Sequence, residues 1–85
     1  MPSGFQPTPG PFAIAIAAEI RAAMARERVS GAQLARDTDR SQSYLSKRLR
    51  AEVPFSANDV EDICQALGVD LLTLLSAAVR ASRRP

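Results

Sequence analysis

The residues with chemistry to offer lie close together. Between positions 42 and 50 the chain reads Gln-Ser-Tyr-Leu-Ser-Lys-Arg-Leu-Arg. Gln42, Ser43, Ser46 and Lys47 carry an amide, two hydroxyls and an ammonium at the spacing of one helical face, with Arg50 one turn further on. Amides and hydroxyls pair with the edges of bases in a DNA groove, while Lys and Arg suit guanine edges or phosphates. Tyr44, Leu45 and Leu49 fall elsewhere on the same helix, and Leu45 and Leu49 are one turn apart. The pattern is a short helix with an apolar side held by the rest of the chain and a polar, cationic side turned outward.

A neighbouring helix has to hold such a helix in place. Ser30, with Gln33 three residues later, has the form of a capping box, and Val29 and Leu34 have the spacing of a hydrophobic staple. These signals predict a helix from Gly31 to Asp37 whose inward residues are Leu34, Ala35 and Thr38. Thr38-Asp39-Arg40-Ser41 then supplies a sharp turn, because Asp tolerates the left-handed conformation and Ser41 is the next cap.

The run Leu34-Ala35, followed by Ser41-Gln42-Ser43-Tyr44-Leu45-Ser46-Lys47-Arg48-Leu49, resembles the helix-turn-helix of the lambda-repressor/Cro-type DNA-binding domains. The likeness extends to Ile20-Arg21 before it and to Ala66-Leu67-Gly68-Val69, Leu71, Leu74 and Leu75 after it, so it covers roughly residues 13 to 78. Three positions depart from the family pattern: Asp39 stands where the turn usually has Gly, Arg40 where it has a buried aliphatic, and Met24 where the first helix often has Arg. The resemblance implies that the first residues of the second motif helix read bases. That places Gln42 and Ser43 at the bases, with Ser46 and Lys47 one turn later. Arg36, Arg48 and Arg50 are then the candidates for phosphate.

The remaining elements follow from periodicity and caps. Phe12, Ile16, Ile20 and Met24 (or Ala23) recur on one face and predict a first helix from Phe12 or Ala13 to about Arg28, with Ile14 off that stripe. Pro54 disfavours helix in the residue before it, which makes residues 51–55 a loop. Ser56 with Asp59 is a second capping box, and it opens a helix that buries Val60, Ile63, Cys64 and Leu67 and stops at Gly68. Asp59, Glu61 and Asp62 sit in its first turns, where the helix dipole favours anions. Asp70 caps a last helix in which Leu71, Leu74 and Leu75 close the core. Leu72 and Val79 are left on another side, as for a contact with a second copy.

The expected architecture is therefore all-α, a compact bundle of five short helices containing a helix-turn-helix. Residues 1–11, rich in Pro and without Lys or Arg, form a disordered arm; residues 12–79 form the domain; residues 80–85, with three arginines, form a basic tail. The net charge is only +2. It is unevenly spread, with five cations against two acids in residues 36–50 and five acids without a cation in residues 51–79.

With no histidine and a single cysteine, Cys64, the chain offers no His-based catalysis, ordinary zinc site or disulfide scaffold, and it calls for no cofactor. No second constellation joins the acids of residues 59–62 to make an active site, so an enzyme is not expected. The apolar run from Phe12 to Ala18 meets Glu19 far short of a membrane span, and a cytoplasmic location is the default, in the host cell if the gene belongs to a phage. The resemblance implies a small repressor of the Cro or immunity type that binds paired half-sites on double-stranded DNA as a homodimer. The rival is a helical protein-interaction module, such as an antitoxin or accessory subunit.

Overall fold

The computed structural model describes residues 8–84, and residues 1–7 of the expected arm lie outside them. Five helices follow one another: α1 (Pro11–Glu27), α2 (Gly31–Asp37), α3 (Gln42–Leu49), α4 (Ala57–Leu67) and α5 (Leu71–Ser82), with no strand among the described residues. Helix α1 starts one residue before the expected domain boundary because Pro11 takes the first helical turn, where its missing N–H costs nothing. At the other end α5 runs through Arg80 to Ser82, so the expected tail begins inside a helix.

Side chains set the start of every helix after the first. Ser30, Ser41, Ser56 and Asp70 accept hydrogen bonds from the backbone N–H of Gln33, Tyr44, Asp59 and Thr73 respectively. Each cap satisfies an N–H that the helix itself cannot. The bond is made three residues away, which is why these boundaries can be read from sequence.

Four helix ends share another device. Arg28, Asp39, Ala51 and Gly68 all adopt positive φ, between 56° and 68°, just beyond α1, α2, α3 and α4. The next residue in each case donates its N–H back into the helix: Val29 to Met24, Arg40 to Ala35, Glu52 to Lys47 and Val69 to Cys64. Only one of the four is glycine. A left-handed Ala51 pays a steric cost of roughly 1–2 kcal/mol, partly offset by the extra unfolded-state freedom that glycine would bring. Ala51→Gly should therefore stabilise the domain by about 0.5–1 kcal/mol. A higher urea midpoint at unchanged m-value is the expected result.

Each helix sends at least one branched aliphatic inward. Ile20, Leu34, Leu45 and Ile63 are buried to within 1% and, with Leu74, form one cluster. The most extensive packing in the fold is between α1 and α5, while α3 rests on α1 and α2. On α1 the inner stripe is Ile16, Ile20 and Ala23, and Met24 is only half-buried; of the two candidates for that place, the smaller residue lies deeper. Phe12, expected on the stripe, is 42% exposed instead. It stands in the first turn, at the rim of an apolar groove shared with Phe55, Val60, Leu71 and Leu75. No single helix among the described residues is long and apolar enough to cross a membrane.

Candidate nucleic-acid interface

The second motif helix is anchored from one side. Leu45 is 1% exposed and Leu49 packs half-buried against the core. At the end of the helix, Arg21 of α1 donates its guanidinium to the Leu49 carbonyl, which meets the negative pole of the helix with a cation. At its start, Ser41 holds the Tyr44 N–H at 3.0 Å. The opposite side of the helix faces out. Gln42, Ser43 and Lys47 are exposed.

The expected contact residues separate into three groups. Gln42, Ser43 and Lys47 are presented freely, and Arg36 of α2 is brought beside them: Arg36 and Gln42 line the same polar cleft between α2 and α3, with Asp39 and Arg40. Ser46 and Arg50 remain on that side but are tied to each other, since Arg50 donates Nη1 to Ser46 Oγ at 2.8 Å and Nε to Glu52 at 2.6 Å. Glu52 is held below the usual carboxylate range by that Arg50 hydrogen bond, with the charges of Arg50 and Lys47 adding to it.

Arg48 is the correction. Expected at phosphate, it is folded inward: its guanidinium lies 3.5 Å over the Tyr44 ring, it donates to the Tyr44 carbonyl at 2.9 Å, and its Nε is 3.8 Å from Asp59. The physical reason is the pull of a buried anion. Asp59, only 1% exposed, has no water to solvate its charge and draws every donor in reach.

That carboxylate is the part of the site the sequence reasoning missed. Asp59 takes Arg40 Nε at 2.8 Å, the Tyr44 hydroxyl at 3.0 and 3.2 Å, and the Ser56 N–H at 2.9 Å. Burial by itself would raise its pKa. The Ser56 N–H, the Tyr44 hydroxyl and Arg40 outweigh burial and leave it below the ordinary aspartate value. Arg40 also reaches Asp62 at 3.0 Å and the Thr38 carbonyl at 2.8 Å, so one guanidinium ties the motif turn to α4. A signal was available: an arginine at a turn position that usually holds a buried aliphatic needs an acid nearby, and the acids of α4 were the only large supply. Cys64, by contrast, is a core residue, its thiol pKa pushed up by burial and then by the charge of Asp70.

Two helices joined by a tight turn, with the second one fixed by its apolar side and offering amide, hydroxyl and ammonium groups, define a helix-turn-helix of the kind that lays its second helix in a DNA groove. The family model for the helix-turn-helix domain matches residues 15–78, and the chain belongs to that family. Among solved structures it is similar to two of the clp gene regulator ClgR from Corynebacterium glutamicum, each 28% identical to it. One has a TM-score of 0.75 over 81% of this chain and 90% of that one; the other has 0.79 over 89% and 80%. No curated protein matches the chain.

Proposed function

We propose that this domain is a sequence-specific, double-stranded-DNA-binding transcriptional regulator, a small repressor of the Cro kind that occupies promoters through α3. The observation that carries the reading is the two-sidedness of that helix: Leu45 is buried, while the side chains of Gln42, Ser43 and Lys47 are exposed and make no hydrogen bond or ion pair among the described residues. The similarity to ClgR, a clp gene regulator, supports a role in gene regulation. In this reading Gln42 and Ser43 contact bases, Ser46 and Lys47 extend the contact or hold the DNA backbone, Arg36 and Arg50 meet phosphate, and Arg48 serves the inside of the motif.

Two protomers then sit on half-sites about 34 Å apart on one side of the duplex, blocking polymerase. Leu72 is 72% exposed and Val79, seven residues on along the same helix, is half-buried, which supports α5 as the contact between copies. A species that sediments as a monomer both alone and on DNA removes the dimer. Selection of bound sites from random duplexes tests the whole proposal: a paired, symmetric consensus is expected, and recovery of unrelated sequences overturns it.

Single substitutions separate the roles. Gln42→Ala should relax preference at one position of each half-site by roughly 1–3 kcal/mol. Lys47→Ala, if it grips phosphate, should weaken binding to all sequences alike and lower the salt slope by about one unit. Glu52→Gln should act in the opposite direction. It frees Arg50 for the backbone, so every duplex should bind more tightly and the salt slope should rise by up to about one.

A second reading, a protein-interaction module such as an antitoxin or accessory subunit, is favoured by the exposed Phe12, Ile14 and Leu72. Stoichiometric complex formation with another protein, without salt-sensitive binding to any duplex, would decide for it.

A further inference from the structure

We propose that Asp59 is a positioning residue for DNA reading: a buried carboxylate on α4 that sets how far α3 is rolled about its own axis, and hence which side chains face the groove. The inference rests on the function proposed above.

Apolar contact alone fixes that roll poorly. Helix α3 has eight residues, and Leu45 is its one fully buried side chain. Apolar burial is non-directional, so a cylinder resting on Leu45 with the half-buried Leu49 and Tyr44 ring is held in place by it more firmly than it is held in roll. Hydrogen bonds are directional, and those that join α3 to α4 end on one carboxylate. Tyr44, in the first turn of α3, donates its hydroxyl to both Asp59 oxygens. Arg48, one turn later on the same face, lies across the Tyr44 ring and points Nε at Asp59. Arg40 brings the preceding turn to the same group.

The three side chains therefore span the motif from its turn to the last turn of α3. The carboxylate they meet is itself immobilised, because the Ser56 N–H holds Oδ2 at 2.9 Å and Asp59's own N–H is bound by Ser56 Oγ at 3.0 Å. Arg48 Nε is buried and makes no hydrogen bond, only the 3.8 Å ion pair, so on the α4 side Tyr44 and Arg40 provide the directional restraint, while Arg21 of α1 holds only the Leu49 carbonyl at the far end.

The size of the effect follows from helix dimensions. A side-chain tip roughly 6 Å from the axis moves by about 2 Å when the helix rolls by about 20°. That displacement exceeds what a hydrogen bond to a base edge tolerates. Phosphate contact through Lys47 or Arg36 is a charge interaction of longer reach and survives it. Loosening the tether should thus erode discrimination between sequences and leave general affinity in place.

The experiment uses the full chain and three variants, Tyr44→Phe, Asp59→Asn and Asp70→Ala, each assayed well below its own Tm. The readout is the ratio of affinities for a selected site and an unrelated duplex at one salt concentration. Tyr44→Phe keeps the ring under Arg48 and removes only the hydroxyl. It should narrow the ratio by about tenfold, the scale of one hydrogen bond to a charged group, with the unrelated duplex bound as before. Asp59→Asn should narrow it further. Asp70→Ala removes the cap of α5, which does not touch the Asp59 cluster, and should lower Tm by about 4–8 °C with the ratio intact.

A Tyr44→Phe protein that is less stable yet discriminates like the parent overturns the inference, since the carboxylate would then only stabilise. A parent that does not discriminate overturns the proposed function instead. In that case backbone residual dipolar couplings along α3, which report its direction and roll, still decide: unchanged values in Tyr44→Phe refute the positioning role, and a changed roll supports it.

Discussion

Asp59→Ala should cost the domain about 3 kcal/mol, a large share of the roughly 5–15 kcal/mol that holds a domain of this kind together. Removing one member of a buried ion cluster leaves the others desolvated and uncompensated. Here the stranded groups are Arg40 and Arg48, whose side chains are 18% and 16% exposed. The loss stays at the low end of the usual range because Arg40 keeps Asp62 and the Thr38 carbonyl. Urea titration at neutral pH should show the lowered midpoint.

The same variant should change the acid limb. Asp59's folded pKa lies below its unfolded value of about 3.9, because the Ser56 N–H, the Tyr44 hydroxyl and Arg40 outweigh burial. The folded state therefore holds its charge to lower pH than the unfolded chain does. The stability this brings is complete above the unfolded value and is lost as pH falls through the folded one. Between pH 7 and pH 2 the parent should lose more stability than Asp59→Ala; equal slopes would show that other carboxylates govern acid unfolding.

Leu45→Ala should be at least as damaging, at about 2–5 kcal/mol. Leu45 is the buried aliphatic of α3, and eight residues form no stable helix without a partner surface. The cavity would open within the cluster that also holds Leu34 and Ile63. The expected phenotype is loss of binding to specific and unrelated duplexes together, with a lower urea midpoint. Gln42→Ala, which removes an exposed group, should leave that midpoint where it was and alter only sequence preference. If Leu45→Ala proved as stable as the parent, the two-sided description of α3 would fail.

How much of this could be read from sequence depended on the distance over which each feature is decided. Gly31–Asp37 emerged at its true limits, and Ser41 opened α3 as expected, because a cap and its N–H are three residues apart. Leu45 and the outward face of α3 followed from a repeat of one helical turn. The left-handed Asp39 was legible from residue type, whereas Arg28 and Ala51 were not: the backbone bond that closes each helix end imposes that conformation on them.

For the Asp59 cluster the sequence offered only the need of Arg40 for an acid, and not which acid or which other donors would meet it. Its donors Tyr44 and Arg40 are 15 and 19 residues away, and only the packing of α4 against the motif brings them together. The inward turn of Arg48 is a consequence of that meeting, since on a helical wheel it sat between the two faces. Phe12 continued the periodicity of α1 perfectly well; it ended 42% exposed because, in the first turn, it meets the rim of a groove beside Phe55 and Leu71 and not the closed core.

The pairing of α1 with α5 has a consequence for synthesis. Helix α1 finds its main partner only when α5 has been translated, and at about 5–20 residues per second that wait lasts several seconds. During it the nascent chain shows a surface composed largely of alanine, with Ile16 and Ile20 as its bulky members. So small an adhesive area gives aggregation and chaperones little to hold, which suits a domain whose core is sealed only when α5 arrives.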